Sequence, residues 1–422
     1  MIKIQGQYNE AVVYTNLVDE ATKKQVERLL NQEFTEGMQI RIMPDCHAGT
    51  GCVVGTTMTI QNKIVPNLVG VDIGCGMLCV NLGQLDLDLE QLDNFIRENI
   101  PAGMNVNENI TETESRIEDL RCYEKLKNKT YLKQSIGSLG GGNHFIEVDI
   151  ANDGTKYLII HSGSRNLGTQ VAAIYQNKAI EYHTNKLFNK REEINKVIEE
   201  YKKEGRQKEI QTRIKEIEKM EIQLDIPEEL CYLEGQLFDD YIYDMDISQK
   251  FAVENRKEMA NRILKYLGLD LSKVEYFETI HNYINMKDMI LRKGAISAYE
   301  DEMVLIPINM RDGCILAKGK SNPDYNYSAP HGAGRILSRH TAAQKIALED
   351  YIESMKGIYT TSVNKKTIDE SPFAYKPIES IIENIGDTVD IIVFCVGHDA
   401  PTGGQRQRGT ALQFVAKGQF CN

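Results

Sequence analysis

The sequence predicts an α+β fold built on mixed β-sheets. Three observations lead to it. Short apolar runs rich in β-branched residues, closed off by glycine and polar residues, recur along the chain. Helical spacing lies between some of these runs and not others, so the strand–helix–strand rhythm of a doubly wound sheet is missing. One stretch, residues 184–226, has helical spacing but so much Lys, Arg and Glu that it reads as an arm rather than as core. With 422 residues, 41% of them hydrophobic and 26% charged, the chain can bury a sizeable core. That length allows two or three domains, or one large domain carrying an insertion.

Up to Gly83 the chain reads as strands and glycine-rich turns. Thr56-Thr57-Met58-Thr59-Ile60 and Met77-Leu78-Cys79-Val80 are β-type runs between breakers. Residues 85–127 carry Leu and Ile at three- and four-residue spacing, which predicts helix. Tyr157-Leu158-Ile159-Ile160 is an apolar run that places His161 at the end of a core strand. In 184–226, Ile194, Val197, Ile198 and Tyr201 form one stripe; Ile210, Ile214 and Ile217 form another, with Gly205 between. Two amphipathic helices in a protruding hairpin are expected, serving either as a solvated arm or as a grip on a partner. Val304-Leu305-Ile306-Pro307 and Asp390-Ile391-Ile392-Val393-Phe394 read as core strands. Residues 405–422 have weak periodicity, so poor order or an irregular docked tail is expected there.

Composition narrows the function classes. No apolar run reaches the ~18 residues of a spanning helix, so no membrane partner is expected. The first residues lack the apolar stretch of a signal peptide, which predicts a cytoplasmic protein. The nine cysteines show no framework spacing; most are expected to be buried hydrophobes. A net charge of −12 argues against sequence-blind adhesion to nucleic acid. Between Met310 and Lys345 the balance reverses. There Arg311, Lys318, Lys320, Arg335, Arg339 and Lys345 face only Asp312 and Asp324, which fits an anionic ligand.

Chemistry-bearing side chains fall in patches stripped of bulk. In Ser328-Ala329-Pro330-His331-Gly332-Ala333-Gly334-Arg335 little but the imidazole projects, as a nucleophile at phosphorus requires. Arg335 could balance charge on a transferred phosphoryl group. In Val69-Gly70-Val71-Asp72-Ile73-Gly74-Cys75-Gly76 an apolar strand end meets glycine-rich turns, which puts Asp72 and Cys75 on one rim. A thiolate can bridge two cations and a carboxylate suits a hard one; a tight turn with a buried cysteine is the plainer alternative. Gly140-Gly141-Gly142-Asn143-His144-Phe145 would let a phosphate or base lie against backbone N–H groups, or simply opens a strand. His161-Ser162-Gly163-Ser164-Arg165 joins an imidazole to a guanidinium suited to phosphate, while Ser164 also reads as a helix N-cap. His281, in Thr279-Ile280-His281-Asn282, fits a core histidine as readily as a ligand. Together these patches suit metal-assisted phosphoryl or nucleotidyl transfer through a histidine intermediate.

In this order, and with Pro44-Asp45-Cys46-His47-Ala48-Gly49 before them, the patches resemble the RtcB family of tRNA-splicing and RNA-repair ligases. The likeness runs from about Pro44 to Tyr375. It implies one large domain of mixed sheets with surrounding helices, formed by residues 1–183 and 227–392, with the hairpin 184–226 inserted and an atypical tail at 393–422. It implies a ligase that uses GTP and two Mn²⁺ ions. The enzyme would join RNA ending in a 3′-phosphate or 2′,3′-cyclic phosphate to RNA with a 5′-hydroxyl. The resemblance makes Asp72, Cys75, His144, His161 and His281 the metal ligands, with Cys75 bridging, and makes His331 the carrier of GMP. It gives Asn143, Phe145, Glu147, Asn309, Met310, Cys314, Gly332, Ala333, Gly334 and Tyr375 to the guanylate pocket, and Arg165 to an RNA phosphate. Family members usually finish on a short strand with a lysine-glycine that touches guanine; Lys417 is the matching lysine here. From about Val393 the tail departs from the family's, and a metal-dependent RNA-end phosphatase or cyclic phosphodiesterase that does not seal is the alternative function. A monomer and a weak homodimer are both compatible with the sequence.

Overall fold

A computed structural model describes residues 1–220 and 222–395, and the backbone of the strand Leu412–Val415. Its sheets are mixed. One six-stranded sheet runs in the order Ile2–Gln5, Glu10–Val13, Ile40–His47, Val54–Thr59, Ile290–Lys293, Asn282–Asn285. Glu10–Val13 and Ile40–His47 pair in parallel, and the other neighbours are antiparallel. A second six-stranded sheet runs Tyr276–Ile280, Gly76–Gly83, Lys156–Ser162, Phe145–Ile150, Leu412–Val415, Tyr359–Thr360. Against its inner face packs a three-stranded antiparallel sheet of Met303–Asn309, Gly313–Gly319 and Val389–Cys395. Met77, Cys79 and Ile159 of the one meet Leu305, Cys314 and Leu316 of the other.

The helix Gln236–Tyr266 has 31 residues and joins two cores. Tyr241, Met245 and Phe251 enter the cluster under the first sheet, while Met259, Ile263 and Leu264 enter the cluster behind the second. The helix Arg165–Leu187 packs beside it. Burial of large apolar side chains on two fronts, each worth roughly 1.5–3 kcal/mol, makes this helix the frame on which the sheets are set.

Two expectations change. Residues 85–127 form one helix, Leu89–Asn99, and then only short turns at Ile117–Asp119 and Tyr123–Lys125. Pro101 and Gly103 stop the helix, and Asn107 uses its side chain on the carbonyls of Gln134 and Ile136 instead of continuing it. The arm begins later than its charge pattern suggests, because Arg165–Leu187 runs unbroken through residue 184. Its helices are Lys190–Lys203, capped by Asn189, and Ile210–Lys219, with Gly205 at φ +78° in the turn. The two helices pack on each other, and Val197 and Ile217 are their buried residues.

Among the described residues no helix is long and apolar enough to cross a membrane. Eight cysteines among the described residues are free, and all eight are buried. Of the tail, Val393–Cys395 ends the strand Val389–Cys395, which was expected in the core but is an edge strand with Ile392 exposed, and Leu412–Val415 is a regular strand that pairs antiparallel with Phe145–Ile150. Lys417 and most of residues 405–422 lie outside the described residues.

Candidate active site

Three neighbouring strands of the second sheet bring the ligand candidates together. Gly76–Gly83 starts just after Cys75, Lys156–Ser162 carries His161 near its end, and Phe145–Ile150 starts just after His144. Pairing of Met77 with His161 and of His161 with Phe145 sets these strand ends level. Tyr276–Ile280, on the far side, delivers His281, whose backbone N–H donates to Cys75 O at 2.9 Å. Asp72 comes from the turn before Cys75, closed by the Cys75 N–H on Asp72 O at 3.2 Å. Glycines make the turn fit. A Cβ at Gly74 (φ +73°) would lie 2.8 Å from Gln249 Cα of the long helix, and one at Gly163 would strike the Asp72 carboxylate.

The side chains form a cage. Cys75 Sγ lies 3.5 Å from His144 Nε2 and 3.4 Å from His161 Nε2. Asp72 Oδ2 lies 3.1 Å from His144 Nε2. The rings of His161 and His281 are 5.2 Å apart between centroids. Backbone carbonyls accept from the far nitrogens, Leu139 O from His144 Nδ1 at 2.9 Å and Asn143 O from His161 Nδ1 at 3.0 Å. Those bonds turn both Nε2 lone pairs toward the thiol, the arrangement metal-binding imidazoles need. Two further atoms of the cage, Asp72 Oδ1 and His281 Nδ1, are buried without a hydrogen-bond partner.

The electrostatics agree. Burial, and then the neighbouring imidazoles, hold His161 and His281 well below the usual histidine value, so both are neutral donors. Burial works against the Asp72 carboxylate, but the neighbouring His144 and Arg165 outweigh it, so its pKa falls below the usual value. Burial and then the Asp72 charge push the Cys75 thiol well above its usual value. Only a cation at the same point would hold a thiolate there. Cys75, His144 and His161 offer ligand atoms within 4.8 Å of one another and fit a divalent metal ion, with Asp72 and His281 beside them.

His331 stands at the open side, its ring 4.8 Å from that of His281. Asp45, fully buried on the strand Ile40–His47, accepts from His331 Nδ1 at 2.7 Å and from its backbone N–H at 3.1 Å. With Nδ1 engaged, Nε2 is the nitrogen left for attack. A Cβ at Gly294 would sit 3.2 Å from His331 Cε1, and one at Gly334 (φ +74°) would strike Asp45 O, so the ring needs both glycines.

A cavity of about 230 Å³ opens beside His331 and His161. Asn143, Phe145, Glu147, Asn309, Met310, Gly332, Ala333, Gly334 and Tyr375 all line it. Cys314 does not. It is buried between the sheets with Cys395 opposite, while Gly313 takes the cavity wall. Arg335 lines it as well, with its guanidinium 3.1 Å from the Tyr375 hydroxyl. Arg165 donates to Ser138 Oγ at 3.1 Å and to Gly103 O at 3.0 Å, under the loop that carries Gly140. Ser164 stands at the N-cap position, but its hydroxyl donates to Ile73 O instead of capping.

Sequence reasoning gave no individual role to Asp45, or to His47 and Glu370 of the cavity wall, and counted Arg339 of that wall only among the cations of a basic stretch. Asp45 and His47 were within reach, because they stand in the Pro44–Gly49 segment. Glu370 had no local signal. It is made conspicuous only by the Arg339 and Arg335 guanidiniums that the fold places 2.9 and 3.4 Å from it.

Fold and site thus define a protein with a sulfur- and imidazole-rich, metal-capable cluster facing a carboxylate-held histidine at the mouth of a cavity. The family model of tRNA-splicing ligase RtcB matches residues 25–130 and 108–395, and the chain belongs to the RtcB family. It is 27% identical to the RNA-splicing ligase RtcB of Escherichia coli over 84% of this chain and 87% of that protein. The tRNA-splicing ligase RtcB of Aeropyrum pernix is 25% identical over 81% and 83% of the two chains, and that of Methanococcus maripaludis 24% over 90% of each.

Proposed function

We propose that this chain is an RNA ligase that seals a 3′-phosphate or 2′,3′-cyclic phosphate end to a 5′-hydroxyl end, using GTP and passing GMP through His331. The observation that carries the reading is the Asp45–His331 pair at the edge of the cage, opening on a cavity large enough for a base. His331 Nε2 attacks the α-phosphorus of GTP and pyrophosphate leaves. Asp45 holds the ring and offsets the positive charge that develops on it. A cyclic end is first hydrolysed by water, which breaks the bond to O2′ and leaves a 3′-phosphate; the RNA 3′-phosphate then takes GMP from His331, and the 5′-hydroxyl attacks the activated phosphorus and expels GMP. Two divalent cations held by Asp72, Cys75, His144, His161 and His281, manganese by the family resemblance, would supply positive charge against these phosphates. Arg165 and Arg335 are read as phosphate partners, and Lys417 as a contact to guanine. We read 184–226 as an insertion on a catalytic body of residues 1–183 and 227–392, 393–422 as a divergent tail, and the protein as cytoplasmic.

The test is incubation of pure protein with Mn²⁺ and α-labelled GTP. Acid-labile label should stay on the chain and vanish in His331→Ala. Turnover of a cyclic end with no label on the protein would instead indicate a hydrolase.

A further inference from the structure

We infer that Asn255 and Arg256, adjacent on the helix Gln236–Tyr266, are the positioning residues that hold the five-ligand cage in binding geometry. The inference rests on the metal-centre reading above and goes beyond it, since neither residue is a ligand and neither lines the cavity.

Every strand end that carries a ligand leans on this pair. Arg256 is fully buried. Its Nη1 donates to Gly74 O at 2.8 Å, one residue before Cys75, and to Ser162 O at 2.7 Å, one residue after His161. Its Nη2 donates to Glu278 Oε2 at 2.6 Å, on the strand that leads into His281. Asn255 covers the other two ligands. Its Nδ2 donates to Ser162 Oγ and to Gly163 O, both at 3.1 Å, and Gly163 is the residue packed on the Asp72 carboxylate. Its Oδ1 accepts from the N–H groups of Gly137 at 2.8 Å and Ser138 at 3.1 Å. The next residue, Leu139, offers the carbonyl that holds His144 Nδ1, and Ser162 Oγ donates to that same carbonyl at 2.9 Å.

The chemistry explains why these residue types are there. A buried guanidinium is expensive, and one carboxylate partner does not by itself account for keeping it. Its planar fork, unlike an ammonium, reaches two carbonyls and a carboxylate in fixed directions. An amide is the side chain that both donates and accepts, so Asn255 can tie one loop by its N–H groups and another by its carbonyl oxygen. Ligands held by fixed outer partners bind without first ordering themselves, and loss of such partners typically weakens metal affinity roughly 10- to 100-fold.

The experiment titrates Mn²⁺ into metal-free protein, following free ion by electron paramagnetic resonance, for wild type, Cys75→Ala, Arg256→Lys and Asn255→Asp. The melting temperature of each metal-free protein is measured alongside. Arg256→Lys should weaken Mn²⁺ binding about 10- to 100-fold while its metal-free form melts close to wild type, and Asn255→Asp should act in the same direction. Unchanged Mn²⁺ affinity in both variants overturns the inference, and so does a fall in melting temperature with affinity retained, which marks a purely structural role. If Arg256→Lys does not fold, Asn255→Asp decides by the same criterion. The metal-centre reading fails separately, if wild type and Cys75→Ala bind Mn²⁺ alike.

Discussion

Asp45 Oδ2 takes both N–H groups that His331 offers, whereas Oδ1 is buried without a partner. An asparagine there keeps the size but turns one oxygen into a donor, which competes with the Nδ1–H of His331 and favours the wrong tautomer. We expect Asp45→Asn to fold and to lose His331 labelling by at least about 100-fold, measured as the initial rate with α-labelled GTP. Labelling at the wild-type rate would remove Asp45 from the reaction. At this scale the sequence was informative where bulk had been stripped away: His331 and His144 stood out because glycines surround them. Asp45 did not, because 286 residues separate it from its partner and no local pattern records that contact. His281 carried little signal for the same reason. Its strand is ordinary, and only pairing to Gly76 brings it beside Cys75.

Elements were legible when they obeyed one period and lost when tertiary contacts overrode it. The strands around Met58, Leu78, Ile159, Leu305 and Ile392 follow their apolar runs. The helix expected through residue 127 stops near Asn99, where proline, glycine and asparagine favour other backbone partners. The helices Lys190–Lys203 and Ile210–Lys219 follow their stripes, and their buried residues, Val197 and Ile217, belong to neither of the two large apolar clusters of the body. That separation predicts that replacing residues 190–219 by a short flexible linker leaves guanylylation of His331 intact. The measurement is the labelling assay on the shortened protein, with RNA joining assayed beside it. Loss of label would show that the hairpin supports the site after all, whereas loss of joining alone would give the arm to RNA.

At the scale of the whole molecule, the contact between the second sheet and the three-stranded sheet was the least legible feature. Alternation within each strand says that a face is buried, but not against what. The register of Cys314 opposite Cys395, and the meeting of both with Cys79, arise only once the layers stack. Asp149 sits in that seam, 2% exposed, with Oδ2 lacking a partner. Burial raises its carboxyl to about 7, against a smaller lowering by the Cys314 thiol. A carboxyl whose folded value lies above its unfolded value favours the folded state at low pH, and that contribution is lost as pH rises through the folded value. The window therefore runs from the ordinary aspartate value, near 3.8, up to about 7. Asp149→Asn removes the titration while keeping the shape. Its melting temperature relative to wild type should climb between about pH 5 and pH 7 and level off above about pH 8, as followed by thermal unfolding across that range. A difference that stays constant with pH would mean that Asp149 is ionised in the seam, paired with a group that takes up its charge.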